Sequence, residues 1–323
     1  MGKTISWALA VFLLIPATGF SMPILQGLTS DATVVPCAGV PLAQPADADT
    51  VCYSINAPDG PFNGLLRSGT PGVDTGVIFL HGRGNTPNSK VVRQLRGSLA
   101  NAGFTTLSIE NPVPLDTTQP GGGGPNGVAT DFEDYVADVN GPNTVFPETF
   151  ARVRESMALL AEQAINRIVV AGFSLGSRLA TAHVARGQQA GDLPIIGLIG
   201  LGMRANSIDP LNAATTLDEV FVPVLDIFGD GDIPAVVTAL DRLNAYGGQS
   251  TDYTQVILDC DDSLTVQECH QFNNGLKGAD DRPLETAVRN WITDIAPVPE
   301  PGTLAILVLG LAGLGCARRR RAA

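Results

Sequence analysis

The stretch Arg167-Ile168-Val169-Val170-Ala171-Gly172-Phe173-Ser174-Leu175-Gly176-Ser177-Arg178-Leu179-Ala180-Thr181-Ala182 decides how the rest of the chain is read. Arg167 to Ala171 is apolar and rich in β-branched residues, as a buried strand requires. Ser177 to Ala182 favours a helix. Between them, Gly172-Phe173-Ser174-Leu175-Gly176 has the G-x-S-x-G spacing of a sharp strand-to-helix turn. A serine at the apex of such a turn is held in a strained backbone with its hydroxyl exposed. The flanking glycines let strand and helix pass close together. The spacing reads as a nucleophile elbow.

A serine hydroxyl is almost fully protonated at neutral pH, so this reading demands a histidine base and an orienting carboxylate elsewhere. Upstream, Thr50 to Ile55 and Phe62 to Arg67 predict an antiparallel edge hairpin around Pro58-Asp59-Gly60-Pro61. Gly76 to Leu80 is a short, wholly apolar run expected of a strand covered on both faces. Val91, Val92, Leu95 and Leu99 fall at helical spacing, and Phe104 to Ile109 predicts the next strand. From residue 110 to 147 the pattern dissolves into Pro, Gly, Asp and Asn; a connection this long reads as a lid or substrate-contacting insertion. Pro147 opens a helix towards Ala164, and Pro194 to Leu201, Val222 to Gly229 and Tyr253 to Leu258 predict further strands. Strands alternating with helices argue for an α/β fold with a mostly parallel central sheet and helices on both faces.

The three histidines are His81, His183 and His270. His81 closes the Gly76 to Leu80 strand in the loop His81-Gly82-Arg83-Gly84-Asn85. His183 sits on the helix behind the serine and points away from the apex. His270 lies in Cys269-His270-Gln271-Phe272, a predicted loop before the closing helix Leu284 to Ile295. Among the carboxylates, Asp226, Asp230 and Asp232 compete around the end of the Val222 to Gly229 strand, where functional groups gather in open α/β sheets. Asp226 lies within the strand, and Asp232 could also cap the helix starting near Pro234. From residue 50 to 296 these motifs, in this order, resemble the α/β-hydrolase superfamily, and within it poorly characterised bacterial serine hydrolases with a His-Gly loop and a Gly-Phe-Ser-Leu-Gly elbow. The resemblance implies the order serine, acid, histidine. It therefore implies Ser174 as nucleophile, Asp232 as the acid and His270 as the base, with His81 bracing its loop. It further implies an oxyanion hole from the Leu175 N–H and one from Gly82 or Arg83.

Two end segments stand outside the fold. Lys3 followed by the apolar run from Trp7 to Pro16 and the small residues Ala17-Thr18-Gly19 reads as a secretory signal over residues 1 to 21, with 22 to 49 as a loosely packed leader. At the other end, Val298-Pro299-Glu300-Pro301, an apolar segment from Thr303 to Ala317 and Arg318-Arg319-Arg320-Arg321 together resemble a PEP-CTERM sorting signal over 297 to 323. That resemblance implies transient membrane retention through the apolar segment, processing by an exosortase-type enzyme, and delivery to the cell surface or outside. A net charge of -12 argues against a nucleic-acid or anionic-membrane surface. Four of the five cysteines fall in the exported body; sequence order pairs Cys37 with Cys52 and Cys260 with Cys269, one of three pairings that four cysteines allow. No cofactor or metal is implied. The expected activity is that of an exported carboxylesterase or lipase-like enzyme on a small-molecule or polymer ester. An extracellular polysaccharide deacetylase, a polyester depolymerase, or a non-catalytic surface protein retaining the shape are the alternatives.

Overall fold

A computed structural model describes residues 29–40, 45–112, 147–205, 211–272, 276 and 282–297. The predicted signal, the insertion and the sorting tail fall mainly outside these residues. One sheet runs in the order β1-β2-β3-β5-β4-β6-β7-β8-β9. The strands are β1 (Ala32–Val35), β2 (Val51–Ala57), β3 (Gly60–Arg67), β4 (Thr75–Leu80), β5 (Thr105–Ile109), β6 (Arg167–Phe173), β7 (Ile195–Leu201), β8 (Val224–Gly229) and β9 (Tyr253–Leu258). From β5 to β9 every pairing is parallel, whereas β1, β2 and β3 add an antiparallel flank. The larger helices are α1 (Lys90–Asn101), α2 (Pro147–Glu162), α3 (Leu175–Ala185), α4 (Ile233–Val237), α5 (Ala239–Ala245), α6 (Val266–His270) and α7 (Pro283–Ile295).

The inner parallel strands are buried on both sides because alternate residues enter different cores. Ile78, Leu80, Ile168 and Val170 pack with Val153, Met157 and Leu160 of α2 and Leu179 of α3. Val77, Phe79, Val169 and Ala171 pack with Val91, Leu95 and Leu99 of α1 and Val288, Trp291 and Ile292 of α7. A run such as Thr75–Leu80, buried at every position, follows from that double cover. Chain order reverses at β4, whose neighbours are β5 on one side and β6 on the other. Crevices at such switch points open beyond the strands' carboxyl ends.

Two expectations need correcting. The stretch read as a loose leader contributes β1, which pairs with β2 from Ala32↔Ile55 to Val35↔Cys52, so the β2–β3 hairpin is covered rather than at the edge. A strand of four residues shows too little periodicity to be recognised alone; the neighbouring strand and the Cys37–Cys52 disulfide hold it. His270 is not in a loop but is the last residue of α6. That short helix is stabilised by a reciprocal capping box in which the Thr265 hydroxyl accepts from the Glu268 N–H and the Glu268 carboxylate accepts from the Thr265 N–H.

Candidate active site

Ser174 stands between β6 and α3 with φ 54° and ψ -114°, a left-handed conformation that a serine adopts only when its surroundings enforce it. The enforcement is visible. A Cβ on Gly172 would run into the backbone of Gly176, and one on Gly176 would run into the carbonyl oxygens of Leu80 and His81. Strand, helix and the end of β4 therefore approach closer than any side chain allows. The Ser174 N–H, pulled out of the helix pattern, donates to the Leu201 carbonyl at 2.8 Å.

The three residues read as nucleophile, base and acid meet at this turn. Ser174 Oγ lies 2.9 Å from His270 Nε2, and His270 Nδ1 lies 2.6 Å from Asp232 Oδ2. A carboxylate only accepts, so the imidazole proton sits on Nδ1 and Nε2 keeps the lone pair that receives the serine O–H. Asp232 is fully buried and His270 nearly so. Burial alone would push the Asp232 carboxyl up; the hydrogen bond and charge of His270, and then of Arg204, outweigh it and hold the group below the usual carboxylate range. Phe173 lies beside the imidazole with ring centroids 5.4 Å apart, and Phe272 packs on Phe173 in turn.

The competing carboxylates have other duties. Asp230 accepts the Cys260 N–H at 2.8 Å. Asp226 is buried and accepts from Arg242, Tyr253 and Gln255. Asp232 opens α4 as its N-cap residue, but its side chain accepts from Arg204 and His270 instead of from the helix.

Leu175 opens α3, so its N–H belongs to the helix-start donors without an intrahelical acceptor. Contact of Gly176 with the Leu80 and His81 carbonyls brings this end of α3 against the loop carrying Gly82 and Arg83. A Cβ on Gly82 would lie 3.1 Å from the Phe173 ring, so this loop's backbone rests on the residue preceding the serine. His81 is the brace: Nδ1 donates to the Gly82 carbonyl at 2.8 Å, Nε2 accepts the Asn111 N–H at 3.1 Å, and the Asn111 side chain donates to the His81 carbonyl. Burial lowers its pKa to about 4, so it is neutral and both nitrogens are occupied. His183 is buried on α3 against the edge of Phe150, away from the apex, and burial lowers its pKa to about 3.

Sequence reasoning missed two residues. Arg204, beyond β7, donates from Nη2 to Asp232 Oδ1 at 2.9 Å, on the side of the carboxylate not used by His270. Gly202, at φ 59°, leaves room for the imidazole: a Cβ there would sit 2.8 Å from His270 Cε1. Neither carries a local signal, since both act through contacts with segments distant in sequence. Both disulfides pair as sequence order suggested, Cys37 with Cys52 and Cys260 with Cys269. Among the described residues, the grouping of metal-ligand types is Asp230, Cys260 and Cys269, whose sulfurs are bonded to each other rather than available to an ion.

This sheet, its switch point and its strained serine turn define an α/β-hydrolase fold. The chain belongs to the family described as "protein of unknown function (DUF3530)", which matches residues 44–271. Residues 297–321 match the PEP-CTERM protein-sorting motif, which implies export through membrane-anchored sorting and processing by an exosortase-type system. No curated protein matches the chain. Similar solved structures include a dienelactone hydrolase from Anabaena variabilis, 20% identical, TM-score 0.52, over 77% of this chain and 99% of the other. A serine hydrolase without lid from Xanthomonas campestris is 18% identical with TM-score 0.53, over 80% of this chain and 100% of that one. A cold-adapted esterase from an Arctic intertidal metagenomic library is 12% identical with TM-score 0.52, over 75% and 95%. At these identities the likeness is one of fold. Among the described residues, no helix is long and apolar enough to cross a membrane.

Proposed function

We propose that the protein is an exported serine hydrolase that cleaves carboxylic esters through an acyl-enzyme. The supporting observation is the continuous hydrogen-bonded line from Ser174 Oγ through His270 to Asp232. In the reaction, Ser174 Oγ adds to the ester carbonyl as its proton passes to His270 Nε2. Asp232 keeps the proton on Nδ1 and stabilises the imidazolium that forms. The tetrahedral oxyanion lies against the Leu175 N–H and an N–H of the Gly82–Arg83 loop; removing one such donor costs about 3 kcal/mol of transition-state stabilisation. His270 then returns its proton to the departing alkoxide. Water, activated by the same imidazole, releases the acid and restores the serine.

The catalytic body in this reading is residues 50 to 296 with the added β1 strand. The signal at 1 to 21 starts export, and the tail at 297 to 323 retains the chain at the membrane until an exosortase-type enzyme releases it to the surface or medium. The test is a fluorophosphonate probe on the mature protein, followed by p-nitrophenyl esters of graded acyl length. Labelling of the unmutated chain, lost in Ser174→Ala with the circular dichroism spectrum unchanged, is the expected result. A folded protein that resists the probe overturns the reading.

A further inference from the structure

A disulfide closes the segment that carries the base, and that segment is hydrogen-bonded to and packed on the turn that carries the acid. Cys269 is the residue before His270, and its sulfur is bonded to Cys260, just past the end of β9. The Cys260 N–H in turn donates to Asp230 Oδ1 at 2.8 Å, two positions before Asp232. The contact is packed as well as hydrogen-bonded. A Cβ on Gly231 would lie 3.1 Å from Cys269 Sγ, and one on Gly229 would lie 2.6 Å from Cys260 Sγ. Glycines thus let the Gly229 to Asp232 turn press directly onto the disulfide, which is buried with both cysteines. The helix it fixes is only Val266–His270, too short to hold its own geometry in water. Among the described contacts, His270 is held by the capping box, by its hydrogen bond to Asp232, by Phe173 and by the disulfide at the preceding residue.

We propose that the Cys260–Cys269 disulfide is a positioning element for His270, so that the hydrolase is fully active only in the oxidised form. In a reducing cytoplasm the two thiols leave the base poorly held. Once the chain is exported, Cys260 and Cys269 together give up two electrons and two protons to a disulfide-exchanging oxidant, whose own disulfide becomes a dithiol, and the imidazole is locked against Asp232 and Ser174. The inference rests on the acyl-enzyme reading. It assigns no such role to Cys37–Cys52, which secures β1 to β2 at the opposite side of the sheet.

The experiment uses the mature chain, oxidised or treated with dithiothreitol at a temperature well below its melting point. Alkylation and mass spectrometry identify which bond has opened. The rate of fluorophosphonate labelling and the kcat and KM for an aryl ester are measured on each form and on two double variants, Cys260→Ala/Cys269→Ala and Cys37→Ala/Cys52→Ala. Opening Cys260–Cys269, by reduction or substitution, is expected to lower kcat and labelling rate at least tenfold while KM stays within threefold and far-UV circular dichroism is unchanged. Reoxidation is expected to restore the wild-type chain, and the Cys37/Cys52 variant to keep its rate. Should the Cys260/Cys269 variant fail to fold, the reduction arm on the wild type decides alone. Equal kcat in the reduced and oxidised wild type overturns the proposal, as does a loss that follows opening of Cys37–Cys52. Failure of the oxidised wild type to be labelled at all would instead remove the acyl-enzyme reading beneath it.

Discussion

Asp232→Asn separates a catalytic carboxylate from one that merely fills space, and the local donors make the outcome specific. Asp232 Oδ1 receives a hydrogen bond from Arg204 Nη2 at 2.9 Å and Oδ2 one from His270 Nδ1 at 2.6 Å. Arginine has only donors, so in the variant it captures the amide oxygen. The amide nitrogen is then turned to His270, where it donates to Nδ1 and drives the imidazole proton to Nε2. An imidazole protonated on Nε2 has no lone pair for the Ser174 hydroxyl. In serine proteases the corresponding change lowers kcat about ten-thousand-fold through the wrong tautomer, equivalent to about 5 kcal/mol of barrier. The same order is expected here, measured as kcat on an aryl ester between pH 6 and 9, with KM little changed. Adding Arg204→Met removes the donor that fixes the amide. The oxygen is then free to turn to His270, and the double variant is expected to recover at least tenfold over Asp232→Asn. An Asp232→Asn enzyme within tenfold of wild type would refute the assignment of the acid, and a double variant no faster than the single would refute the role given to Arg204.

Other outcomes follow from the packing and the buried histidines. In Gly202→Ala, the φ of 59° disfavours alanine by about 1 kcal/mol, and the new methyl meets the His270 ring; kcat is expected to fall at least tenfold while the melting temperature moves only a few degrees. Gly176→Ala places a carbon against the Leu80 and His81 carbonyls, backbone that cannot yield, and is expected to lose about 3 kcal/mol or more in denaturant unfolding. Stability is also expected to fall with pH. His81 and His183 accept a proton in the unfolded chain below about pH 6.5, but in the folded chain only near their lowered values of about 4 and about 3. The unfolded state binds more protons across that window, so stability is complete above it and declines through it, by about 3 kcal/mol for His81 alone. Denaturant titrations from pH 7 to 4 check the slope, and His183→Phe is expected to flatten part of it.

What was legible beforehand was local. The elbow could be read because strand, turn and helix are contiguous and because the two glycines have a steric duty at fixed spacing. The parallel block followed from short apolar runs separated by helices, and β4, β5 and β8 are buried at every position. Asp232 could be preferred to Asp230 only through the resemblance, whose strand-ending Gly-x-x-Asp pattern falls on Gly229 and Asp232; its hydrogen bonds to His270 and Arg204 could not be seen. What stayed hidden depended on partners far along the chain. The pairing of β1 needs β2 beside it, Arg204 acts through Asp232, and Gly202 matters only because His270 arrives from another crossover. The Thr265 to Glu268 spacing was a readable sign of α6: a threonine followed three residues later by glutamate is a helix start, and it bore directly on the element that ends in His270.

The three groups in the line come from different crossovers, and each is held in place by a different physical means. Ser174 is set by steric contact, since glycines at 172 and 176 let backbone touch backbone. Asp232 is set electrostatically, by two donors around a buried carboxylate. His270 sits on a one-turn helix held by a cap and a disulfide, with an aromatic ring beside it. Steric contact within the sheet and its crossovers is part of the core, so disturbing it costs the fold stability. A cap and a cross-link beside a short helix can be disturbed while the sheet stays intact. His270 is therefore the member of the line whose geometry can vary without loss of the fold. That is where mutation, redox state and local sequence change are expected to alter turnover more than stability.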